Sequence, residues 1–370
     1  MSDKRIYQIG LTMINGVGDI IARQLLQAAG DAEAVFAEKA QWLERIQGVG
    51  HKIAEEIKNP EVLARAEKEL AFVEKNNIKC YFITDADYPS RLRECEDAPV
   101  MFFFKGDTNL NAKHIISIVG TRNATDYGYS LSESLIKDLS QSFPDLLIIS
   151  GLAYGIDISA HRNALKYGLP TVAVLAHGLD RIYPSVHRST AVQMLEHGGL
   201  LTDFPRGTDP DRQNFIRRNR IVAGLADATV VIESAEKGGS LITADIAFSY
   251  GRDVYCFPGR VDDDHSKGCN SLIRTNKAGL ITSATDLISS LRWDTEVSPS
   301  KKEPVQTEMF FPENTQLSQI VSIIKKNEEI GINELSLQTK IPVYQLTPLL
   351  FELEMNGTIK SLPGNIYKPI

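Results

Sequence analysis

The sequence predicts an α/β fold, in which a parallel, doubly wound sheet is flanked by a small helical domain and a small C-terminal domain. Between residues 114 and 288, short runs of valine, isoleucine and leucine alternate with segments of helical periodicity. Nearly continuous apolar strands are covered on both faces, and strands that alternate with helices run parallel. A pair of similar stretches near the start and a Pro/Ser-rich break after residue 291 indicate the other two domains.

The helical domain is expected over residues 1–74. LTMINGVGDIIARQLL (11–26) and LERIQGVGHKIAEEI (43–57) both place Gly-Val-Gly before a helix-periodic segment. A Gly-x-Gly turn can take a positive φ and leaves helix N-terminal amides free to meet a phosphate. The pair resembles a helix-hairpin-helix module, which grips the DNA backbone without reading sequence. A helical adaptor without DNA contact is the alternative, because few basic residues flank the turns.

The sheet domain is expected over residues 75–290. In such sheets, ligands bind where the carboxyl ends of strands lead into helix N-termini. We therefore expect the binding residues in the loops that follow the strands. The predicted strands are HIISIVG (114–120), LLIISG (146–151), TVAVLAHG (171–178), GLLTDF (199–204), ATVVIES (228–234) and DVYCFPG (253–259).

The remaining chain is expected to form a linker and a third domain. Residues 291–314 are rich in proline, serine, threonine and charge, which is typical of a linker. Residues 315–370 contain three helical segments and a hairpin around Pro-Gly-Asn, the order of a winged helix. The segment in the position of a recognition helix (343–356) carries Glu352 and Glu354 and no lysine or arginine. A protein-interaction or vestigial role therefore stands beside DNA reading.

Composition excludes several classes of protein. With 43% hydrophobic and 24% charged residues, the chain is typical of a soluble globular protein. No apolar run approaches the roughly 20 residues that span a bilayer, so we expect no membrane contact, no secretory signal and a cytoplasmic location. The cysteines, Cys80, Cys95, Cys256 and Cys269, lack zinc-ligand spacing and are expected to be buried thiols. The net charge of −7 argues against a general polyanion binder but permits a local basic patch.

Candidate anion-binding residues follow the first two strands. In VGTRNATDYG (119–128), Arg122 offers a planar set of donors that suits phosphate, with pairing to a carboxylate as the alternative. In SGLAYGIDISAH (150–161), small residues around Gly151 would let an anion approach backbone amides at a helix start. The loop lacks the G-x-G-x-x-G dinucleotide fingerprint. Asp157 and His161 share one helix, where they could do acid–base work or only cap and cross-link that helix.

The strongest signal is DRQNFIRRNRIVAGLAD (211–227), where arginines surround Phe215. Arginine with an interleaved aromatic suits single-stranded nucleic acid, since a ring stacked on a base contributes about 1–3 kcal/mol. On a helix, Arg217 and Arg220 share one face, whereas Arg218 points elsewhere and has a structural ion pair as an alternative role. Further along, Lys237 and the expected helix cap Ser240 add a second amide-rich site for anions.

These motifs resemble the DNA-processing protein A (DprA/Smf) family over about residues 75–285. They occur in the order GTR, SGLAYGIDISAHR, GLDRIYP, NFIRRNRIVAGLAD, EKGGSLITA and PGR…GCNSLIRTNKAGLI. The resemblance implies a Rossmann-like, usually dimeric protein that binds single-stranded DNA without sequence specificity. It implies protection of incoming DNA in natural transformation and help in loading the RecA recombinase, without catalysis, cofactor or metal. Carried over by motif, the DNA site comprises Arg122, Gly151, Arg212, Phe215, Arg218, Asn219, Arg220, Lys237 and Ser240.

Three positions depart from the family pattern. Ile216 replaces a common proline, His177 a common glycine or serine, and His187 a common asparagine. These changes affect the expected loop path rather than the anion site.

An alternative function is nucleotide hydrolysis. KGGSLITAD (237–245) aligns loosely with the PGGxGTxxE motif of Rossmann-like phosphoribohydrolases and places Asp245 at the glutamate position. Leu241 and Ile242 replace the second Gly-Thr of that motif, so the backbone approach that a ribose phosphate needs is lost.

Overall fold

The computed structural model describes residues 2–296, 316–327, 329–362 and 364–369. The chain divides into two compact units, Met1–Ala284 and Thr285–Ile370. The boundary that we predicted at residue 74 falls inside the first unit, because the N-terminal helices share an apolar core with the first strands of the sheet. Most of the predicted linker, residues 297–314, lies outside the described residues.

Six helices begin the first unit. In both Gly-Val-Gly repeats the first glycine has a positive φ, 85° at Gly16 and 82° at Gly48. The second glycine, Gly18 or Gly50, is the N-cap of the helix that follows. The sequence repeat is therefore also a repeat of backbone conformation. The helices are α1 Ser2–Thr12, α2 Asp19–Ala29, α3 Ala32–Ala37, α4 Ala40–Leu43, α5 His51–Ile57 and α6 Pro60–Lys75.

A nine-stranded sheet forms the centre of the first unit, in the order β1-β2-β6-β5-β4-β3-β7-β8-β9. Strands β3 to β9 pair in parallel, whereas β1 with β2 and β2 with β6 pair antiparallel. The strands are β1 Lys79–Phe82, β2 Met101–Gly106, β3 Ile115–Val119, β4 Leu147–Ser150, β5 Thr171–Val174, β6 Gly198–Thr202, β7 Ala228–Val231, β8 Asp253–Cys256 and β9 Gly279–Leu280.

The six predicted strands are all present as β3 to β8, each one to four residues shorter than predicted. Every residue of β3, β4, β5 and β7 is buried, as expected for strands covered on both faces. The alternation of strands and helices does not predict β1 and β2, because an antiparallel extension needs no crossover helix. The sheet is therefore mostly parallel rather than wholly so.

Helices flank this sheet within the first unit, and from α8 onward they alternate with its parallel strands. They are α7 Ser90–Arg93, α8 Asp126–Ser142, α9 Ile156–Lys166, α10 Arg188–Met194, α11 Arg212–Gly224, α12 Gly239–Ser249 and α13 Lys267–Arg274, with a 3₁₀ helix at Ser185–His187. The helix α14 Ala284–Leu291, apart from its first residue, and the 3₁₀ helix Trp293–Glu296 belong to the second unit. In the sheet, β3 has β4 as its neighbour on one side and β7 as its neighbour on the other side. The chain adds β4, β5 and β6 in one direction from β3 and then adds β7, β8 and β9 in the other direction. The strand order thus reverses at β3, which is where doubly wound sheets bind ligands.

The second unit has the predicted order of three helices and a hairpin. Its three-stranded sheet runs β10-β12-β11 and is antiparallel. Ile324, Leu335 and Leu350 lie in its core. The elements are α15 Gln316–Asn327, β10 Ile330–Gly331, α16 Ile332–Thr339, α17 Val343–Met355, β11 Ile359–Leu362 and β12 Ile366–Pro369.

Across the described ranges, no helix combines the length and the apolar character needed to cross a bilayer. The same residues contain no group of three or more histidine, cysteine or acidic side chains placed to hold a metal ion. All four cysteines are free thiols, and three are buried as predicted, but Cys80 is only half-buried. Burial raises the pKa of Cys80 and of Cys95 to about 12, so neither thiol is a reactive thiolate at neutral pH.

Candidate functional site

A cavity of 660 Å³ lies at the carboxyl ends of the parallel strands, where the strand order reverses. The loops after β3, β4 and β7 line it, together with α11 as far as Val222 and the start of α12. All predicted site residues except Arg220 are among its lining residues. They are Arg122, Gly151, Arg212, Phe215, Arg218, Asn219, Lys237 and Ser240.

The loops after β3 and β4 are joined backbone to backbone at Gly155, the N-cap of α9. Ile156 N–H donates to Thr121 O at 3.2 Å. Gly155 has φ 73° and ψ −122°, a conformation open to glycine but not to other residues without strain. A Cβ there would lie 2.2 Å from Thr121 O and 2.7 Å from the carbonyl carbon of Arg122. Only glycine therefore permits the loop that carries Arg122 to sit where it does.

A buried carboxylate, Glu233, fixes the start of α8 beside this loop. Its two oxygens accept from Thr125 N–H at 2.9 Å and from the Thr125 hydroxyl at 2.6 Å. Its carbonyl accepts from Thr121 N–H at 2.7 Å. Sequence reasoning missed Glu233, because a glutamate at the end of an apolar strand carries no signal of the partner it will meet.

Arg218 is a buried cation that lines the cavity. Its Nη1 donates to Gly151 O at 2.8 Å and also to Val174 O, at the carboxyl ends of β4 and β5. Burial lowers the pKa of Arg218 to about 10, so the guanidinium stays charged at neutral pH. A Cβ at Gly151 would lie 2.5 Å from both terminal nitrogens of Arg218. The absence of a side chain at Gly151 thus makes room for this charge.

Asp157 and His161 hold the loop after β4 rather than forming an acid–base pair. Asp157 accepts from Gly151 N–H at 3.1 Å, and burial raises its pKa while Arg218 opposes that rise. His161 Nε2 accepts from Leu152 N–H at 3.3 Å, and its Nδ1 lies 2.7 Å from the Thr171 hydroxyl. Burial lowers the pKa of His161 to about 3, so the ring is neutral. Both side chains are committed to structural hydrogen bonds.

Arg217 and Arg220 share one face of α11, as predicted, but that face meets carboxylates instead of the cavity. Arg220 Nη2 lies 2.6 Å from Asp203 and 3.0 Å from Asp19. Arg217 lies 3.4 Å from each of the same two carboxylates. Asp19 is the first residue of α2, so these pairs join the N-terminal helices to the sheet.

The expected roles of Arg218 and Arg220 are therefore reversed. Arg220 is the buried member of an ion-pair cluster, whereas Arg218 lines the cavity. Helical spacing correctly places Arg217 and Arg220 on a different face of α11 from Arg218. It does not reveal which of these faces meets the carboxylates of Asp19 and Asp203. Arg220 is accordingly not included in the binding site that we propose below.

Phe215 lies among the cations of the cavity. The guanidinium carbon of Arg122 is 5.1 Å from its ring centroid and that of Arg218 is 5.9 Å away. Arg122 and Arg212 are exposed to solvent. The cavity therefore presents positive charge around one aromatic ring.

The start of α12 differs in detail from the prediction. Gly238 is its N-cap, and no side chain caps the helix. Ser240, which we expected to be the cap, instead donates its hydroxyl to Ser234 Oγ at 2.9 Å. Lys237 is exposed just before the helix. An uncapped helix N-terminus beside a lysine is suited to an anion.

Two stretches of the chain match family models. Residues 79–292 match the family described as DNA recombination-mediator protein A. Residues 312–365 match the DprA winged helix domain. The first match contains the cavity described above, and the second covers most of the winged-helix unit.

Individual proteins are similar over most of their own length. Protein Smf of Synechocystis is 34% identical over 78% of this chain and 73% of its own. The X-ray structure of DprA from Streptococcus pneumoniae superposes with a TM-score of 0.64 at 31% identity, covering 77% of this chain and 97% of that one. DNA processing protein A of Helicobacter pylori, solved to study its single-stranded DNA binding mode, gives a TM-score of 0.53 at 27% identity, covering 59% and 96%.

Proposed function

Because this chain belongs to the DNA recombination-mediator protein A (DprA/Smf) family, we propose that its cavity binds single-stranded DNA without reading sequence. The observation that carries the proposal is that Arg122 and Arg218 lie close to the Phe215 ring in one cavity, which Arg212 also lines. Guanidinium groups bind phosphates, and a ring stacks on any base, so such a site tolerates all sequences. The net charge of −7 is no obstacle, because these cations gather at one edge of the sheet.

Two further details support single strands over duplex. Phe215 is half-buried inside a cavity, which a duplex with its stacked bases cannot enter. The uncapped N-terminus of α12 and Lys237, which also line the cavity, offer a second phosphate position. The DNA-binding residues in this proposal are Arg122, Gly151, Arg212, Phe215, Arg218, Asn219, Lys237 and Ser240.

The proposed role is the one that the family implies. The protein protects incoming single-stranded DNA in natural transformation and helps to load the RecA recombinase, as a homodimer in the cytoplasm. It is not an enzyme in this proposal. Asp245, which takes the glutamate position of the hydrolase motif, forms an ion pair with Lys277 at 2.7 Å and is not among the cavity residues. This pairing argues against the phosphoribohydrolase alternative.

Fluorescence anisotropy with labelled single-stranded, duplex and mononucleotide ligands across a salt series tests the proposal. We expect tight, salt-sensitive binding to single strands of any sequence and weaker binding to duplex. Preferential binding of the mononucleotide, with release of a base, would establish the hydrolase instead.

Arg122→Ala is expected to weaken binding about equally for all single-stranded sequences. Loss of one phosphate contact lowers the slope of log K against log salt by about 0.7 for single strands. Arg274→Ala is the matched control, because Arg274 is an exposed arginine in the last turn of α13, outside the cavity. An unchanged slope in Arg122→Ala, or an equal fall in both variants, contradicts a phosphate contact at Arg122.

Gly151→Ala is expected to weaken single-strand binding by about tenfold or more, because its Cβ displaces the Arg218 guanidinium from Gly151 O. Gly239→Ala serves as the control. Gly239 also lines the cavity, but a Cβ there meets no atom within 4 Å. Titration of a labelled single-stranded oligonucleotide measures the affinity of each variant. Equal affinities of Gly151→Ala and Gly239→Ala would show that DNA binding does not need Arg218 in its present position.

A further inference from the structure

We infer that Tyr183 forms a second nucleobase site, outside the cavity and next to Phe215, which takes the base of the neighbouring nucleotide in a bound single strand. This inference rests on the function proposed above and extends it. It assigns a binding role to the loop after β5, which neither the arginine motif nor the cavity includes.

The position of Tyr183 supports this assignment. Its ring centroid lies 6.0 Å from that of Phe215, with an angle of 50° between the planes. The side chain is 47% exposed, and Tyr183 is not among the residues that line the cavity. The aromatic surface that begins at Phe215 thus continues outward past the cavity rim. A strand that leaves the cavity on this side meets a second ring.

The surroundings of Phe215 make a second ring useful. Two guanidinium groups, of Arg122 and Arg218, lie within 6 Å of the Phe215 centroid. They restrict the space in which a base can stack on that ring. Tyr183 carries no such cation among the contacts of the described residues. A base that stacks on Tyr183 therefore does not compete with a guanidinium group for the face of the ring.

The backbone at Tyr183 is held in place before any ligand binds. Tyr183 N–H donates to His177 Nε2 at 3.2 Å, and His177 Nδ1 donates to Gly178 O at 2.9 Å. Burial lowers the pKa of His177, so the ring stays neutral and Nε2 remains an acceptor. His177 is a departure from the family pattern, and here it fixes the loop path. A ring that is already positioned loses less conformational entropy when a base binds.

The test compares ligands of two lengths. Anisotropy with labelled hexathymidylate and equilibrium dialysis with thymidine 5′-monophosphate are run on the wild type, Tyr183→Ala, Tyr183→Leu, Tyr183→Phe and Phe248→Ala. Phe248 is a control aromatic of similar exposure, 51%, in the last turns of α12, away from its cavity end. Thermal melting of each variant confirms folding.

We expect Tyr183→Ala and Tyr183→Leu to bind the hexanucleotide roughly 5- to 150-fold more weakly, as for one lost base stack, with the salt slope unchanged. Their affinity for the mononucleotide should equal that of the wild type, because its base occupies the cavity. Tyr183→Phe keeps the ring and should retain wild-type affinity for both ligands, as should Phe248→Ala. Phe215→Ala, in contrast, should lose affinity for both ligands.

Two results overturn the inference. Wild-type affinity of Tyr183→Leu for the hexanucleotide shows that no base stacks on this ring. Equal losses for the hexanucleotide and the mononucleotide show that Tyr183 only shapes the cavity. Failure of the wild type to bind any single strand is a different outcome, because it refutes the proposed function itself.

Discussion

Arg220→Ala is expected to lower the free energy of unfolding by about 3–5 kcal/mol, the usual cost of removing one partner from a buried ion pair. The Asp203 side chain is only 2% exposed, and that of Arg220 is 8% exposed. Removing the guanidinium leaves the Asp203 carboxylate buried without its closest cation. Arg220 also donates to the carbonyl of Asp97, and that bond is lost as well. Urea denaturation followed by circular dichroism measures the change.

Arg217→Ala is the matched control for this prediction. Arg217 is on the same helix and meets the same two carboxylates, at 3.4 Å, but its side chain is 48% exposed. Exposed pairs contribute about 0–1 kcal/mol, so the loss should stay below about 1 kcal/mol. Similar losses in the two variants would contradict the role of burial. Because Arg220 lies outside the cavity, folded Arg220→Ala should keep the wild-type salt slope for single-stranded DNA.

Gly155→Ala is expected to destabilise the first unit by roughly 3 kcal/mol or more and to weaken DNA binding. Two effects add: a backbone conformation that alanine adopts only with strain, and a Cβ 2.2 Å from Thr121 O. The atoms that this Cβ would meet, Thr121 O and the carbonyl carbon of Arg122, cannot move aside at low energetic cost, because both belong to the backbone. The loop that carries Arg122 must therefore shift. Thermal unfolding and oligonucleotide titration of the same preparation measure the two consequences.

Gly168→Ala separates the two effects. Gly168 follows the C-terminus of the same helix, α9, and its φ of 76° is close to that of Gly155. A Cβ at Gly168 meets no atom within 4 Å, so only the cost of positive φ remains, about 1–2 kcal/mol. DNA affinity should not change. If both variants lose the same stability, the close approach of the two loops is not what requires glycine at residue 155.

Much of the fold follows from local patterns in the chain. The six apolar runs became β3 to β8, since a strand buried on both faces needs apolar residues at successive positions. The cavity lies at the carboxyl ends of these strands because the topology of a doubly wound sheet places loops and helix N-termini there. The two Gly-Val-Gly repeats also share one backbone conformation, with a positive φ at Gly16 and at Gly48. A positive φ is a property of the local backbone, so the sequence repeat is enough to predict it.

The antiparallel strands β1 and β2 are a different case. β2 pairs with β6, whose residues lie about a hundred positions later in the chain. No local periodicity reports such a partner. The same holds for Tyr183, whose contact with Phe215 joins the loop after β5 to α11.

The adjacent arginines of α11 show where sequence information stops. Residue types are sufficient to predict an arginine-rich helix beside an anion-binding site. Helical spacing is sufficient to place Arg217 and Arg220 on one face of that helix. Which face turns toward the cavity depends on Asp19, which is 201 positions from Arg220 in the chain, and on Asp203. Electrostatic pairing depends on distances in the folded chain and not on positions in the sequence. Arg220 therefore pairs with the carboxylates of Asp19 and Asp203, whereas Arg218 contributes a positive charge to the cavity.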